Sequence, residues 1–281
     1  MAKQLNIRQK ARKFDSKFYH EVLADECHSS LEVPDGRNPM QNAWLTITIN
    51  YSLDFIDRRN LGGKAYLKNN KAYVKDSDGV EFALSDWDSQ SQTNFNKKFA
   101  KGESFWNYKF LLITPADYDA LDFTSMAGQG FVCRPNVICL FRLKPGGTPT
   151  HLSIKVVRPD LSFWDNVFGR SYRSDEFNYK IEDADTKTLW HELGHALDQD
   201  HVMALKGDAR CMVDINADRC YEGPNIMGRG SQLETINARA WSELIYQHTE
   251  NRQQWVVSQA VNTPPRRIPL GVANLGKPTS F

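Results

Sequence analysis

No stretch of this 281-residue chain approaches the ~20 consecutive apolar residues that a membrane-crossing helix needs. Residues 1–13 (MAKQLNIRQKARK) are basic and polar and lack the apolar core of a secretory signal. The expected location is therefore the cytoplasm, or the outside by a signal-independent, effector-like route. Neither sign of charge dominates: 35 Lys and Arg face 34 Asp and Glu, a net charge of +1. That balance gives no case for nucleic acid as the main partner. There is no internal repeat. Cysteines are few, at Cys27, Cys133, Cys139, Cys211 and Cys220. Their spacing admits two local disulfides, Cys133–Cys139 and Cys211–Cys220, with Cys27 left over, and equally admits five reduced thiols.

What is present is one dense cluster. Three of the seven histidines fall in the eleven residues His191-Glu192-Leu193-Gly194-His195-Ala196-Leu197-Asp198-Gln199-Asp200-His201. His191 and His195 are four apart, so a helix carries both imidazoles on one face, one turn apart, as a zinc ion requires. Glu192 stands beside them as the natural acceptor of a proton from a water activated by the metal. A straight helix would carry His201 away from the metal. For His201 to be the third ligand, the chain must turn near Asp198. Asp198 or Asp200 is the rival third ligand.

The spacing of His191, His195 and His201, with Glu192 inside it, resembles the metzincin signature HExxHxxGxxH. Downstream, Gly223-Pro224-Asn225-Ile226-Met227-Gly228 resembles the Met-turn of the same family. The likeness is confined to these two elements. It implies a zinc endopeptidase, with Met227 as an apolar floor beneath the histidines. Asp198 replaces the family's glycine, and Asp is among the non-glycine residues that best tolerate a left-handed backbone. No tyrosine closely follows Met227, so the tyrosine that some members carry there has no counterpart. Cys27, ahead of residues 33–36 (VPDG), loosely resembles a cysteine-switch pro-segment with different spacing.

The fold class expected is α+β: a mixed twisted sheet, an active-site helix, and a smaller C-terminal helical subdomain below a cleft. Residues 1–40 read as an N-terminal arm or pro-segment, with a helix over 13–24. Residues 41–201 read as the catalytic subdomain, 202–261 as the C-terminal subdomain and 262–281 as an extended tail. Alternation predicts a strand at 44–51 and short strands at 65–67, 72–74 and 80–84. Ser85 is the expected cap of a helix running to about residue 100. A buried strand follows at 108–114, then a loop over 117–130. Residues 137–143 and 151–157, flanking Pro145-Gly146-Gly147, read as a hairpin, and the family resemblance suggests that one of its strands is the edge that pairs with substrate. Asp183 or Asp185 is expected to cap the active-site helix. The acidic residues between 207 and 222 are expected to be solvated. Ser231 and Glu234 are expected to form a capping box opening the last helix.

The function expected is hydrolysis of peptide bonds in a protein or peptide substrate. Zn2+ is the cofactor, His191, His195 and His201 its ligands, and Glu192 the general base. The alternatives are a zinc-bearing binding module that does not cleave, and a hydrolase with an aspartate as third ligand.

Overall fold

The structure, a computed structural model, describes residues 5–6, 12–17, 26–32, 43–75, 81–113, 121–124, 130–133, 136–160, 179–181, 186–214, 217–249 and 255–259. The caps Asp183 and Asp185 and the tail over 262–281 lie outside them. The fold is α+β, with a mixed main sheet, two small sheets and few helices.

The strands are β1 (Leu5–Asn6), β2 (Arg12–Lys17), β3 (Glu26–Glu32), β4 (Ala43–Ile56), β5 (Tyr66–Lys68), β6 (Lys71–Lys75), β7 (Glu81–Leu84), β8 (Phe110–Ile113), β9 (Leu121–Thr124), β10 (Gly130–Cys133), β11 (Val137–Pro145), β12 (Leu152–Val157), β13 (Tyr179–Ile181) and β14 (Val256–Gln259). The helices are α1 (Ser89–Trp106), α2 (Thr186–Ala196), α3 (Val202–Leu205), α4 (Ala209–Val213) and α5 (Arg239–Thr249). Among the described residues no helix is long and apolar enough to cross a membrane.

β4 is the spine. It is rich in β-branched residues, and Leu45, Ile47, Ile49 and Tyr51 alternate onto one fully covered face. β11 runs parallel along Ala43–Tyr51 on one flank, and β12 runs parallel along Tyr51–Ile56. β3 lies antiparallel on the other flank along Trp44–Thr48. The full order is β13-β12-β4-β11-β8-β14, with β2 outside β3. Tyr51 packs on Phe99 of α1, with ring centroids 4.9 Å apart. Ser29, paired opposite Ile47, meets His248 of α5 at 3.1 Å. Residues directly opposite in a pair share a face, so α1 and α5 cover the same side of the sheet.

β11 and β12 are not a hairpin. The main-chain groups of Tyr51 and Asn50 point to opposite flanks, as successive residues of a strand must. The carbonyl of Tyr51 accepts from Gly146, and the carbonyl of Asn50 accepts from His151. The chain therefore crosses over β4 between those two contacts and continues in the same direction. The buried side chain of Asn50 lies under the crossing and donates to the Pro149 carbonyl at 2.7 Å. A Cβ on Gly147 would sit 2.3 Å from that amide, so only glycine lets the backbone pass so close.

Neither strand is free along the whole of its outer side. β12 lies between β4 and β13. The outer side of β11 beyond Ile138 is occupied by side chains from the end of α1: Asn107 Oδ1 accepts from the Phe141 amide at 3.1 Å and Glu103 Oε2 from the Leu143 amide at 2.9 Å. These capped amides leave no ladder to extend.

Other expectations shift. The helix expected over 13–24 is, as far as residue 17, a strand pairing with β3. The loop expected over 117–130 contains β9 and leads into β10, paired antiparallel. α1 starts three residues after Asp86, where Asp88 rather than Ser85 caps it and accepts from the Ser91 amide at 2.8 Å. That bond and Arg158 hold the Asp88 carboxyl down at about 2. The last helix opens on a capping box of Glu234 and Asn237 rather than Ser231 and Glu234, because Gln232 is taken up in a bridge to Asn225. Cys139 is a free, fully buried thiol, so Cys133–Cys139 is not a disulfide, and burial pushes its ionisation well up. Cys211 and Cys220 are joined.

The crossing gives a test. Gly147→Ala places a methyl group inside the buried Asn50 amide and should lower stability by about 1–3 kcal/mol. A urea midpoint equal to the parent's would show that the crossing is looser than described.

Candidate metal centre

The site begins with how α2 ends. Its buried residues are Leu189 and the unbroken run Glu192, Leu193, Gly194, His195 and Ala196, so the last turn is covered all round. Trp106 Nε1 of α1 donates to the Trp190 carbonyl at 3.0 Å, and Phe105 stacks on Trp190 at 4.2 Å. These contacts fix the helix against α1. At its C-terminus, the Asp198 amide donates to the His195 carbonyl and the Gln199 amide to the Gly194 carbonyl. This is a Schellman termination, which needs a left-handed residue after the cap. Asp198 supplies it with φ 57°. The turn expected of Asp198 from sequence is thus present.

After the turn the chain doubles back. His201 sits at the start of α3, and the next amide, Val202, donates to the Met227 carbonyl at 2.9 Å. Among the described residues, His191, His195 and His201 form the group of potential ligands that comes together, with ligand atoms within 4.8 Å of one another. Neither Asp198 nor Asp200 belongs to that group. Their carboxylates instead act on the Arg239 guanidinium, whose ionisation is raised first by its bond to Glu243 and further by these two aspartates. Cys27 is also elsewhere, buried in β3 within the sheet core.

The imidazoles are oriented by their other nitrogens. His191 Nδ1 lies 2.7 Å from the Ile226 carbonyl, and His195 Nδ1 lies 2.6 Å from the Gln199 carbonyl. A carbonyl only accepts, so each Nδ1 carries a proton, and in the neutral ring each Nε2 then presents a lone pair. The two Nε2 atoms face each other at 3.2 Å. Two lone pairs at that distance repel unless a cation lies between them. Nitrogens bound ~2.0–2.1 Å from one tetrahedral ion stand about 3.4 Å apart, close to the spacing here. The His201 ring is 4.9 Å from that of His195 and 5.5 Å from that of His191, centroid to centroid. The donor set therefore fits a metal ion, as carbonyl-anchored histidines do in metal sites. Glu192 is carried by the same helix, next to His191 and only 8 % exposed.

Met227 is fully buried and lies against α2 at Gly194. A Cβ there would be 2.2 Å from Met227 Sδ and 3.0 Å from Trp106. Gly194, between the two helical histidines, thus makes room for the methionine. The loop that carries it closes on itself: the Ile226 amide donates to the Gln232 carbonyl, the Gln232 amide to Pro224, and the Met227 amide to Asn225 Oδ1.

Three buried amide side chains connect these parts, and sequence patterns did not single them out. Gln199 Nε2 donates to the Asn237 carbonyl at 2.6 Å, Asn237 Nδ2 to Gln199 Oε1 at 3.0 Å, and Asn225 Nδ2 to Asn237 Oδ1 at 2.9 Å. The Glu234 amide also donates to Asn237 Oδ1. Gln199 holds His195 through its own carbonyl, Asn225 shapes the Met227 loop, and Asn237 opens α5. Tyr221 is the fourth residue missed. It lies before Met227, not after, and its ring centroid is 3.9 Å from that of His201 and 6.3 Å from that of His191. Its position next to Cys220 was the one available signal.

Compared with protein-family models, with curated proteins and with solved structures, the chain matches none. Its function must be read from the site itself.

The amide network predicts a specific loss. Asn237→Ala leaves Gln199 Oε1, Asn225 Nδ2 and the Glu234 amide without their partner, at about 1–3 kcal/mol for each orphaned group. The urea midpoint should fall well below the parent's with an unchanged slope. A variant as stable as the parent would mean the network is not what joins the turn, the Met227 loop and α5.

Proposed function

We propose that this chain is a zinc-dependent endopeptidase of metzincin type. The observation that carries the reading is the convergence of His191, His195 and His201 with the Nδ1–H of the first two engaged and their Nε2 lone pairs turned on one point. The left-handed Asp198 and the buried Met227 against Gly194 support the family assignment. Three neutral imidazoles suit zinc and leave a coordination position open. Zinc, when bound, lowers the pKa of a water and polarises a carbonyl.

The chain's own residues do the rest. Glu192, beside His191 and shielded from bulk water, accepts the proton as the water attacks a peptide carbonyl. It then passes that proton to the departing amine. The carbonyls of Ile226 and Gln199 hold the ligand rings in the tautomer the metal needs. The substrate is a protein or peptide, bound between the sheet-bearing part of the chain and the segment from 202 onward. The Cys211–Cys220 disulfide favours action in an oxidising compartment, reached as an exported protein.

Elemental analysis and casein cleavage on three proteins test this reading. The parent should carry about one zinc and cleave. Glu192→Gln should keep the zinc and lose at least about 100-fold in rate, the lower end of what general-base catalysis contributes. His201→Ala should lose most of the zinc and the cleavage with it. Zinc without cleavage in the parent would favour the binding-module alternative. Zinc retained by His201→Ala would remove the three-histidine centre.

A further inference from the structure

We propose that Tyr221 is a positioning residue for His201, and that the Cys211–Cys220 disulfide is what holds Tyr221 in place. The inference rests on the reading of the three histidines as a metal centre.

His191 and His195 are anchored twice over. They belong to one helix, and each Nδ1 meets a carbonyl. His201 stands outside that helix, at the first turn of the four-residue α3. Its ring is covered by that of Tyr221 at 3.9 Å and 40°. A flat aromatic body at that distance restricts how far the imidazole can swing, and so where its ligand nitrogen points.

Tyr221 in turn is tied to the Met227 loop and to the disulfide. Its carbonyl accepts from the Arg229 amide at 2.9 Å, which ties it to the Met227 loop. It also packs in a small apolar cluster in which Ala204, Cys211 and Cys220 are buried and Met203, Ala217 and Tyr221 partly so. The disulfide is the centre of that cluster, and Cys220 is the residue before Tyr221. Met212 and Val213, in the same turn of chain as Cys211, are 72 % and 90 % exposed. Asp208 caps α4 and binds Arg210 at the surface, and its amide donates to the Met203 carbonyl at 2.9 Å. A turn of chain that exposes its apolar side chains in this way gains from a covalent cross-link. The cross-link therefore acts, through one aromatic ring, on the ligand that α2 cannot hold itself.

The test uses the full-length parent, Tyr221→Ala, Tyr221→Phe and the double variant Cys211→Ala/Cys220→Ala. The first readout needs no metal: the histidine ring protons in the NMR spectrum of the metal-free protein. In the parent, the Tyr221 ring should shift the His201 resonances upfield. Tyr221→Phe should keep that shift, while Tyr221→Ala and the double cysteine variant should lose it. The second readout is zinc affinity by competition with a chelator. Tyr221→Ala and the double variant should each bind about tenfold or more weakly, the loss typical of removing a group that orients a ligand. Tyr221→Phe should stay within twofold of the parent. Combining Tyr221→Ala with the cysteine substitutions should add little, because both act at one point.

A parent that binds one zinc, with Tyr221→Ala equal to it in both readouts, would overturn the inference and leave the metal centre standing. A double cysteine variant with parent-like readouts would overturn the role of the disulfide. A parent that takes up no zinc would overturn the metal reading and this inference together.

Discussion

The left-handed turn at Asp198 is the constraint on which the site depends. A non-glycine residue in that conformation costs roughly 1–2 kcal/mol. Two main-chain bonds back into the last turn of α2 offset the cost. The return is geometric. The turn aims the Gln199 carbonyl at His195 Nδ1, sends the Gln199 side chain into the core toward Asn237, and reverses the chain so that His201 meets the helix it has just left. Were α2 to continue straight, none of these three contacts would exist.

Around that turn, polar groups do what apolar packing cannot. Met227, Trp106 and Leu193 fill space at the α1–α2 junction, and a range of apolar side chains could fill it comparably. The interlocked amides of Gln199, Asn225 and Asn237 favour one arrangement, since every side-chain nitrogen and oxygen among them has a partner in a buried interior. The loop after α2, the loop bearing Met227 and the start of α5 are therefore set relative to one another by hydrogen-bond geometry. That suits a centre whose donors must stand within a few tenths of an ångström of fixed positions.

The parts legible in the sequence were those fixed by local rules. The four-residue spacing of His191 and His195, the tolerance of Asp198 for a positive φ, the short separation of Cys211 and Cys220 and the alternation of β4 all act within one or two turns of chain. What was not legible depends on partners far apart in sequence. Nothing near Pro145-Gly146-Gly147 distinguishes a hairpin turn from a passage over another strand, because the difference lies in Asn50. The capped edge of β11 depends on Glu103 and Asn107, which read locally as the end of a helix. Tyr221 reached the histidines through a disulfide and a reversed chain, so a search just beyond Met227 could not find it. Asp88 won over Ser85 as the helix cap because Arg158, from the far end of β12, also binds it.

The central place of β4 bears on how the chain is made. Its neighbour β3 is close in sequence and can pair with it early, but its parallel partners arrive roughly ninety residues later, and contacts so separated form slowly. Until β11 emerges, one flank of a long, apolar strand is open while synthesis proceeds. The crossing then commits both flanks in a single pass, since β11 and β12 are continuous chain. Sheet closure is thereby all-or-none at this point: a nascent chain ending before residue 157 holds an incomplete spine and a sticky edge. The histidine helix, which follows, is added to a sheet whose spine is already flanked on both sides, with only β14 still to come.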